Sequence, residues 1–210
     1  MHNFYAGTIV VILSALVTKS SWAAELNVYK NPDWGYELTY PSNYLAVDRT
    51  NIKEKKDIVP EPYKVVVDAY LQDNWNVEGS VFLFSDHMML SFSGEQYAKN
   101  KDLKKYLDYL LSLIPKDDGK GEAHFNGVDG GKGLNINYEV QHKTIAVRTG
   151  EAHEFISKTY SDKTKKNTYV YTILLPVKNK FLEAGFSYSD DNKEIVSKMK
   201  EILLSIKETE

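Results

Sequence analysis

The sequence predicts an α+β fold in which helices pack on an antiparallel β-sheet. Two observations carry this prediction. Two amphipathic helical stripes lie in the chain, and a long run of alternating strand patterns separates them. Strands, a helix, a meander of strands and a final helix are typical of a sheet with helices packed on its faces. No repeat or linker divides this pattern, so residues 24–210 are predicted to form a single domain.

The first strands are predicted from short alternating segments. Residues 26–30 form a strand candidate, and Pro32 and Gly35 indicate a turn after it. Residues 36–40 alternate apolar and polar side chains, as a half-buried strand does. Residues 42–62 are polar and mixed in character, which predicts a long surface loop.

The next segments predict strands and then the first helix. Residues 64–71 are rich in β-branched side chains and predict a strand, and residues 80–84 and 88–92 predict a hairpin. Residues 101–114 predict a helix with Asn100 as its N-cap and Pro115 at its end. One apolar stripe runs along this helix, and its central residues Leu107 and Leu110 are expected to be buried under the sheet.

The second half of the chain predicts a meander of strands and a closing helix. The predicted strands cover residues 134–141, 145–149, 152–160, 168–175 and 181–188. The final helix is predicted over residues 192–207, with Asp191 and Glu194 at the spacing of a capping box.

The N-terminal segment predicts export. Residues 4–17 are almost all apolar, but fourteen residues make only about 21 Å of helix, short of the ~30 Å hydrocarbon core. Ser21 and Ala23 place small residues at the two positions that signal peptidase requires. Residues 1–23 are therefore predicted to be a cleaved signal peptide, and the alternative is an N-terminal anchor that is retained. The expected location is periplasmic or secreted, with no stable membrane insertion after cleavage.

Composition excludes several classes of function. The chain has no cysteine, which excludes disulfides, thiol nucleophiles and cysteine-ligated metal sites. The net charge is −3 without a clustered basic surplus, so nucleic acid is not an expected partner. The 15 tyrosines are unusual, and they are expected mainly in the core and rim of the sheet, with a contact surface for a partner as the alternative.

The motif patterns assign no catalytic, cofactor-binding or metal-binding residue. The glycines between 119 and 133 lack the spacing of a phosphate loop, and Ser85 occupies the position at which a calcium loop starting at Asn74 needs its bidentate acid. His153 and Glu154 do not begin a zinc-protease motif, and Ser93 is not in a nucleophile elbow. The remaining histidines, His87, His124 and His142, fall in different predicted elements. We therefore expect no catalytic residues, no cofactor and no metal.

Several segments together resemble the PsbP-like superfamily. Residues 35–42 (GYELTYPS) are similar to the opening of these proteins, and residues 84–87 with 90–92 are similar to their conserved turn and following strand. The helix at 101–114 and the closing segment with Ser205 continue the similarity. Residues 45–63 and His87, where the family often has glycine, depart from it.

The resemblance implies a three-layer α/β/α sandwich and a binding role. Relatives include an extrinsic subunit of photosystem II, a nuclear-import factor that binds the Ran GTPase, and the periplasmic protein DcrB. They act mainly as accessory modules without a shared catalytic motif. We expect a secreted, non-enzymatic protein that binds another protein of the bacterial envelope, through the sheet face or the 45–63 region. The alternatives are a small periplasmic hydrolase or metal-dependent enzyme, and an envelope immunity protein.

Overall fold

The fold is built on an eight-stranded antiparallel sheet with a smaller three-stranded sheet beside it. The structure, a computed structural model, describes residues 25–72, 79–86, 88–93, 103–112, 114–116, 118–125, 134–161, 165–178 and 180–209. The predicted signal peptide and the predicted N-cap Asn100 lie outside these residues. In the described part of the chain, no helix has the length and apolar character needed to cross a membrane.

Eleven strands are described. They are β1 (Leu26–Asn31), β2 (Tyr36–Pro41), β3 (Leu45–Asp48), β4 (Val81–Phe84), β5 (Met89–Ser93), β6 (Lys120–Phe125), β7 (Leu134–Val147), β8 (Gly150–Ser161), β9 (Lys166–Val177), β10 (Lys180–Ser189) and β11 (Lys207–Glu208). The large sheet has the order β3-β4-β5-β10-β9-β8-β7-β6, and the small sheet has the order β1-β2-β11.

The described helices lie between these strands. They are α1 (Ile52–Lys55), α2 (Lys64–Gln72), α3 (Leu103–Ser112) and α4 (Val196–Leu204), with 3-10 turns at Lys56–Ile58, Glu61–Tyr63 and Asp190–Ile195. The predicted α+β class, with an antiparallel sheet and helices packed on it, is confirmed.

Alternation along the strands divides the apolar residues between two faces of the large sheet. One face packs against α4 and the small sheet, through a core that contains Tyr171, Ile173 and Leu203. The opposite face carries two smaller clusters. Val47 and Phe84 pack there against α1 and α2, and Phe155 and Leu174 pack against Tyr106 of α3. Helices therefore cover both faces of the sheet, as the resemblance implied.

Most predicted strands are confirmed, with one difference in β7. The turn after β1 holds Gly35 at a φ of 70°, the left-handed conformation that favours glycine. The predicted hairpin is present, with Phe84 opposite Met89. The segments predicted separately at 134–141 and 145–149 form one continuous strand, because the polar residues His142–Thr144 pair directly with β8.

The prediction of a surface loop over residues 42–62 was wrong. The segment contains β3, α1 and a 3-10 turn, and its apolar residues Val47, Ile52 and Val59 are buried. Elements of three or four residues are too short to produce a periodic pattern, so the polar residues between them dominated the sequence signal.

The prediction of a strand over residues 64–71 was also wrong, because this segment is helix α2. In a strand, Val65 and Val67 would lie on the same face. They lie on opposite faces, since Val65 is 70% exposed and Val67 is 1% exposed. The strand preference of valine is weak, and burial of one helix face overrode it. Pro62 in the preceding 3-10 turn marks the helical start.

The two amphipathic helices are confirmed with corrected details. Leu107 and Leu110 are only partly buried against the α3 cluster, and Tyr106 is the buried side chain of this helix. The closing helix ends at Leu204, before β11. The capping box lies in the 3-10 turn Asp190–Ile195 that precedes this helix, where the side chain of Asn192 accepts a hydrogen bond from the backbone N–H of Ser189 at 2.6 Å.

Candidate functional sites

The segment from residue 52 to residue 68 has both buried and exposed apolar side chains. Ile52, Val59 and Val67 anchor the segment by inserting into the cluster around Phe84. The same segment leaves Ile58 66% exposed and Val65 70% exposed, the highest exposures among the large apolar side chains that the structure describes.

Charged residues of both signs accompany the two exposed side chains. The exposed charged residues of this segment are Lys53, Glu54, Lys56, Asp57, Glu61 and Asp68. We refer to Ile58, Val65 and these charged residues as the 53–68 surface. Exposed apolar side chains together with charged ones are also found in protein–protein interfaces.

A second group of polar side chains surrounds the buried carboxylate of Glu154. The hydroxyl of Tyr171 donates a hydrogen bond to Glu154 Oε2 at 2.6 Å, and the ammonium of Lys200 lies 3.1 Å from the same oxygen. The ammonium of Lys143 lies 2.9 Å from Oε1. Strands β7, β8 and β9 and helix α4 therefore meet at one carboxylate.

The electrostatics of this group fit a structural tie. Burial raises the pKa of Glu154, but hydrogen bonds from Tyr171, Lys143 and Lys200 outweigh burial, so the pKa lies below its ordinary value. Burial, and the hydrogen bond to Glu154, raise the pKa of the Tyr171 hydroxyl strongly. Glu154 is thus held ionised and Tyr171 protonated, which positions α4 on the sheet and leaves neither group ready to exchange a proton near neutral pH.

Two histidines from adjacent strands meet on the opposite face of the sheet. Thr144 of β7 lies opposite His153 of β8, and this register brings His142 diagonally beside His153. Nε2 of His142 is 3.4 Å from Nδ1 of His153. The sequence predicted no shared site for these residues, because eleven positions separate them and their meeting depends on the exact strand register.

The environment of this pair is part apolar and part polar. The ring of His142 packs on Phe155 with 4.6 Å between the ring centroids, and Thr144 Oγ1 lies 3.5 Å from His153 Nδ1. Burial, and then the neighbouring His153, lower the pKa of His142. His142 is therefore held predominantly neutral near pH 7, with an unprotonated ring nitrogen.

A cavity lies on this same face between the helix clusters. It has a volume of about 350 Å³, and its lining includes Tyr63, Met89, Ser91, Thr172 and Glu183. The Glu183 carboxylate accepts a 2.7 Å hydrogen bond from the Tyr106 hydroxyl, which ties α3 to β10. Among the lining residues this is the one carboxylate, so the lining lacks the paired acids of a glycosidase.

An open polar groove of about 620 Å³ runs across the far strands of the large sheet. Lys120, Glu139 and Lys158 lie opposite one another on β6, β7 and β8, with Tyr160 beside them. Charges that alternate across neighbouring strands stabilise the pairing of those strands.

Several motifs considered in the sequence have ordinary places in the fold. Gly119 lies in a turn at a φ of 75°, and Asp190 accepts hydrogen bonds from Asn167 and Tyr169 beside α4. Several of the tyrosines that the structure describes are core residues. Tyr36, Tyr40, Tyr106, Tyr171 and Tyr188 are buried.

Other sequence features lie outside the described residues. These are His87, the side chain of His124, the glycines from 127 to 133, and most of the loop that starts at Asn74. Among the described residues, no group of three or more His, Asp or Glu side chains is placed to hold a metal ion.

The described strands and helices form an antiparallel α+β sandwich. This is the fold that the sequence resemblance implied. The chain is similar in structure to cyanobacterial PsbP (CyanoP) from Synechocystis sp. PCC 6803, solved in solution, at 11% sequence identity and a TM-score of 0.45. The similarity covers 90% of this chain and 95% of that one. No family model and no curated protein matches the chain. A similarity of this extent concerns the fold and not the function.

Proposed function

We propose that the protein is a secreted, non-enzymatic binding module of the bacterial cell envelope, and that the 53–68 surface contacts its protein partner. The observation that carries this proposal is the pair Ile58 and Val65, at 66% and 70% exposure, on a segment that buries Ile52, Val59 and Val67. Leaving two large apolar side chains in water costs free energy that burial in a complex recovers, about 1.5–3 kcal/mol for each side chain buried fully.

The charges of this surface favour a protein partner over a lipid or nucleic-acid partner. Lys53 and Lys56 alternate with Glu54 and Asp57, and Glu61 and Asp68 add further negative charge. Anionic membranes and nucleic acids are bound by clusters of positively charged side chains. A mixed border instead suits a protein surface with complementary charges.

The envelope location rests on the predicted signal peptide. Its apolar run is too short to span a bilayer, and the small residues Ser21 and Ala23 fit cleavage after Ala23. The proposed partner is therefore another protein of the envelope, met after export.

The proposal is tested by comparing three purified forms of the protein as baits for native envelope extracts. The forms are wild type, the double variant Ile58→Ser with Val65→Ser, and the control Tyr109→Ser, which alters a side chain that is 57% exposed on α3. A protein retained by wild type and control but lost by the double variant supports the proposal. Equal capture by all three folded forms contradicts it.

A further inference from the structure

We propose that His142 and His153 form a binding site for one divalent transition-metal ion, with Cu²⁺ bound most tightly. The site consists of His142 Nε2 and His153 Nδ1, which face each other across 3.4 Å on two hydrogen-bonded strands. It lies apart from the 53–68 surface and does not depend on the proposed protein-binding function.

The separation of the two nitrogens matches that of two ligands on one metal ion. Metal–imidazole bonds of ~2.0–2.1 Å place two ligand nitrogens about 3.3 Å apart at a tetrahedral angle and about 2.9 Å apart at the right angle of a tetragonal Cu²⁺ site. The observed distance is 3.4 Å, and the two rings are within 19° of parallel, with 5.5 Å between their centroids. Both facing nitrogens can therefore bind one ion after small side-chain rotations.

The backbone fixes this geometry in advance. The β7–β8 ladder is continuous from Asn137 opposite Tyr160 to Val147 opposite Gly150, so the strand register cannot slip at the pair. Phe155 supports the ring of His142 from one side. A site whose ligands are held before binding loses less conformational entropy when the ion enters.

Each neutral imidazole carries one hydrogen, on one of its two ring nitrogens. Metal binding needs a lone pair on both facing nitrogens, so the hydrogen of each ring is held on its other nitrogen in the metal-bound form, with solvent water exchanging it. Both residues are half-buried, so solvent water reaches the ion and fills its remaining positions. Two imidazoles with water favour Cu²⁺ over Ni²⁺ and Zn²⁺, and select against Mg²⁺ and Ca²⁺.

The test is titration of the purified protein with Cu²⁺ and Zn²⁺ separately, followed by calorimetry. We compare wild type with His142→Gln, His153→Gln and a control carrying His87→Gln and His124→Gln. Wild type and control should each bind one Cu²⁺ at the pair, about tenfold or more tightly than Zn²⁺. Either single variant should lose at least about tenfold in affinity, the smallest effect typical even of outer-shell residues.

A second measurement distinguishes metal binding by the folded protein from metal binding by the unfolded chain. An ion bound at the pair raises the urea midpoint of wild type and of the control, because the unfolded chain does not hold the two rings together. The electron paramagnetic resonance spectrum of the Cu²⁺ form should show two equivalent nitrogen ligands. Unchanged Cu²⁺ affinity in folded His142→Gln and His153→Gln proteins overturns the proposal. Loss of binding only in the His87→Gln, His124→Gln control also overturns it.

Discussion

The hydroxyl of Tyr171 donates a 2.6 Å hydrogen bond to the carboxylate of Glu154, and Lys200 of α4 reaches over the Tyr171 ring to the same carboxylate. This contact joins the closing helix to the centre of the large sheet. Because Glu154 is only 3% exposed, its charge depends on these partners in place of water. The group therefore determines how firmly α4 is held.

Replacing Tyr171 with phenylalanine removes one partner from a buried carboxylate. We expect Tyr171→Phe to lower the free energy of unfolding by about 1–3 kcal/mol. The matched control is Tyr188→Phe. Tyr188 is a buried tyrosine of β10 on the same face of the sheet as Tyr171. Its hydroxyl has no hydrogen bond within the described residues, so we expect a smaller loss. Urea unfolding measures both values, and equal losses would show that the Glu154 contact is not stabilising.

The pH dependence of stability follows from the lowered pKa of Glu154. A carboxyl whose pKa is lower in the folded state releases protons on folding, so its stabilising effect is complete above its unfolded pKa. That effect is lost as the pH falls through the folded value. The ordinary value is 4.5, so the loss begins near that pH and grows below it.

This dependence is measured as the difference in unfolding free energy between wild type and Glu154→Gln. Asp48 and Asp190 also have lowered pKa values, but both proteins contain them, so their effects cancel. The difference should be largest near neutral pH and shrink below pH 4.5. A difference that stays constant from neutral to strongly acidic pH would contradict the assignment.

The orientation of α2 gives a prediction with an internal control. Val67→Ala removes a fully buried side chain and should cost about 2 kcal/mol of stability. Val65→Ala alters an exposed position and should change stability by less than about 0.5 kcal/mol. If the segment were the strand that its sequence suggests, the two substitutions would have similar effects, since both side chains would share a face. Denaturant unfolding of the two variants distinguishes these outcomes.

The predicted signal peptide is tested by measuring the intact mass of the exported protein. Protein secreted by its native host should begin at Ala24, because cleavage after Ala23 fits the small residues at the recognition positions. Intact-mass measurement of the exported protein reports the N-terminus directly. Full-length protein retained in the membrane fraction would show that residues 1–23 serve as an anchor.

Long periodic patterns carried the successful part of the sequence prediction. The stripe of α3 and the alternation of residues 36–40 and 134–141 extend over enough residues to identify each element. The stripe was a weaker guide to depth. Leu107 and Leu110 are only partly buried. Tyr106, on the same stripe, is the residue of α3 that is buried against the sheet.

The errors fall where tertiary contacts outweigh local preference. The valines of α2 favour a strand locally, but the cluster around Phe84 buries one helical face of them. The elements of residues 45–58 are too short to show a period. The 53–68 surface is formed by parts of both segments, so its geometry could not be derived from the sequence. The sequence analysis did propose residues 45–63 as a contact region.

The histidine pair shows a different limit. His142 and His153 meet because Thr144 lies opposite His153, and a shift of one residue in register would move one ring to the other face of the sheet. The sequence pattern identified β8 and two separate parts of β7, with His142 in the gap between them, and did not fix the register. The turn at Arg148–Thr149 between β7 and β8 was the available signal, because a two-residue hairpin connection sets the register of its strands.

Photo-crosslinking at the 53–68 surface tests the central claim most directly. A photoreactive amino acid is placed at position 58, at position 65, or at the control position 109 on α3, in protein expressed in its native envelope. We predict that positions 58 and 65 crosslink to the same partner protein, and that position 109 does not. Crosslinking at position 109 with none at 58 or 65, in protein that is folded and exported, would contradict the claim.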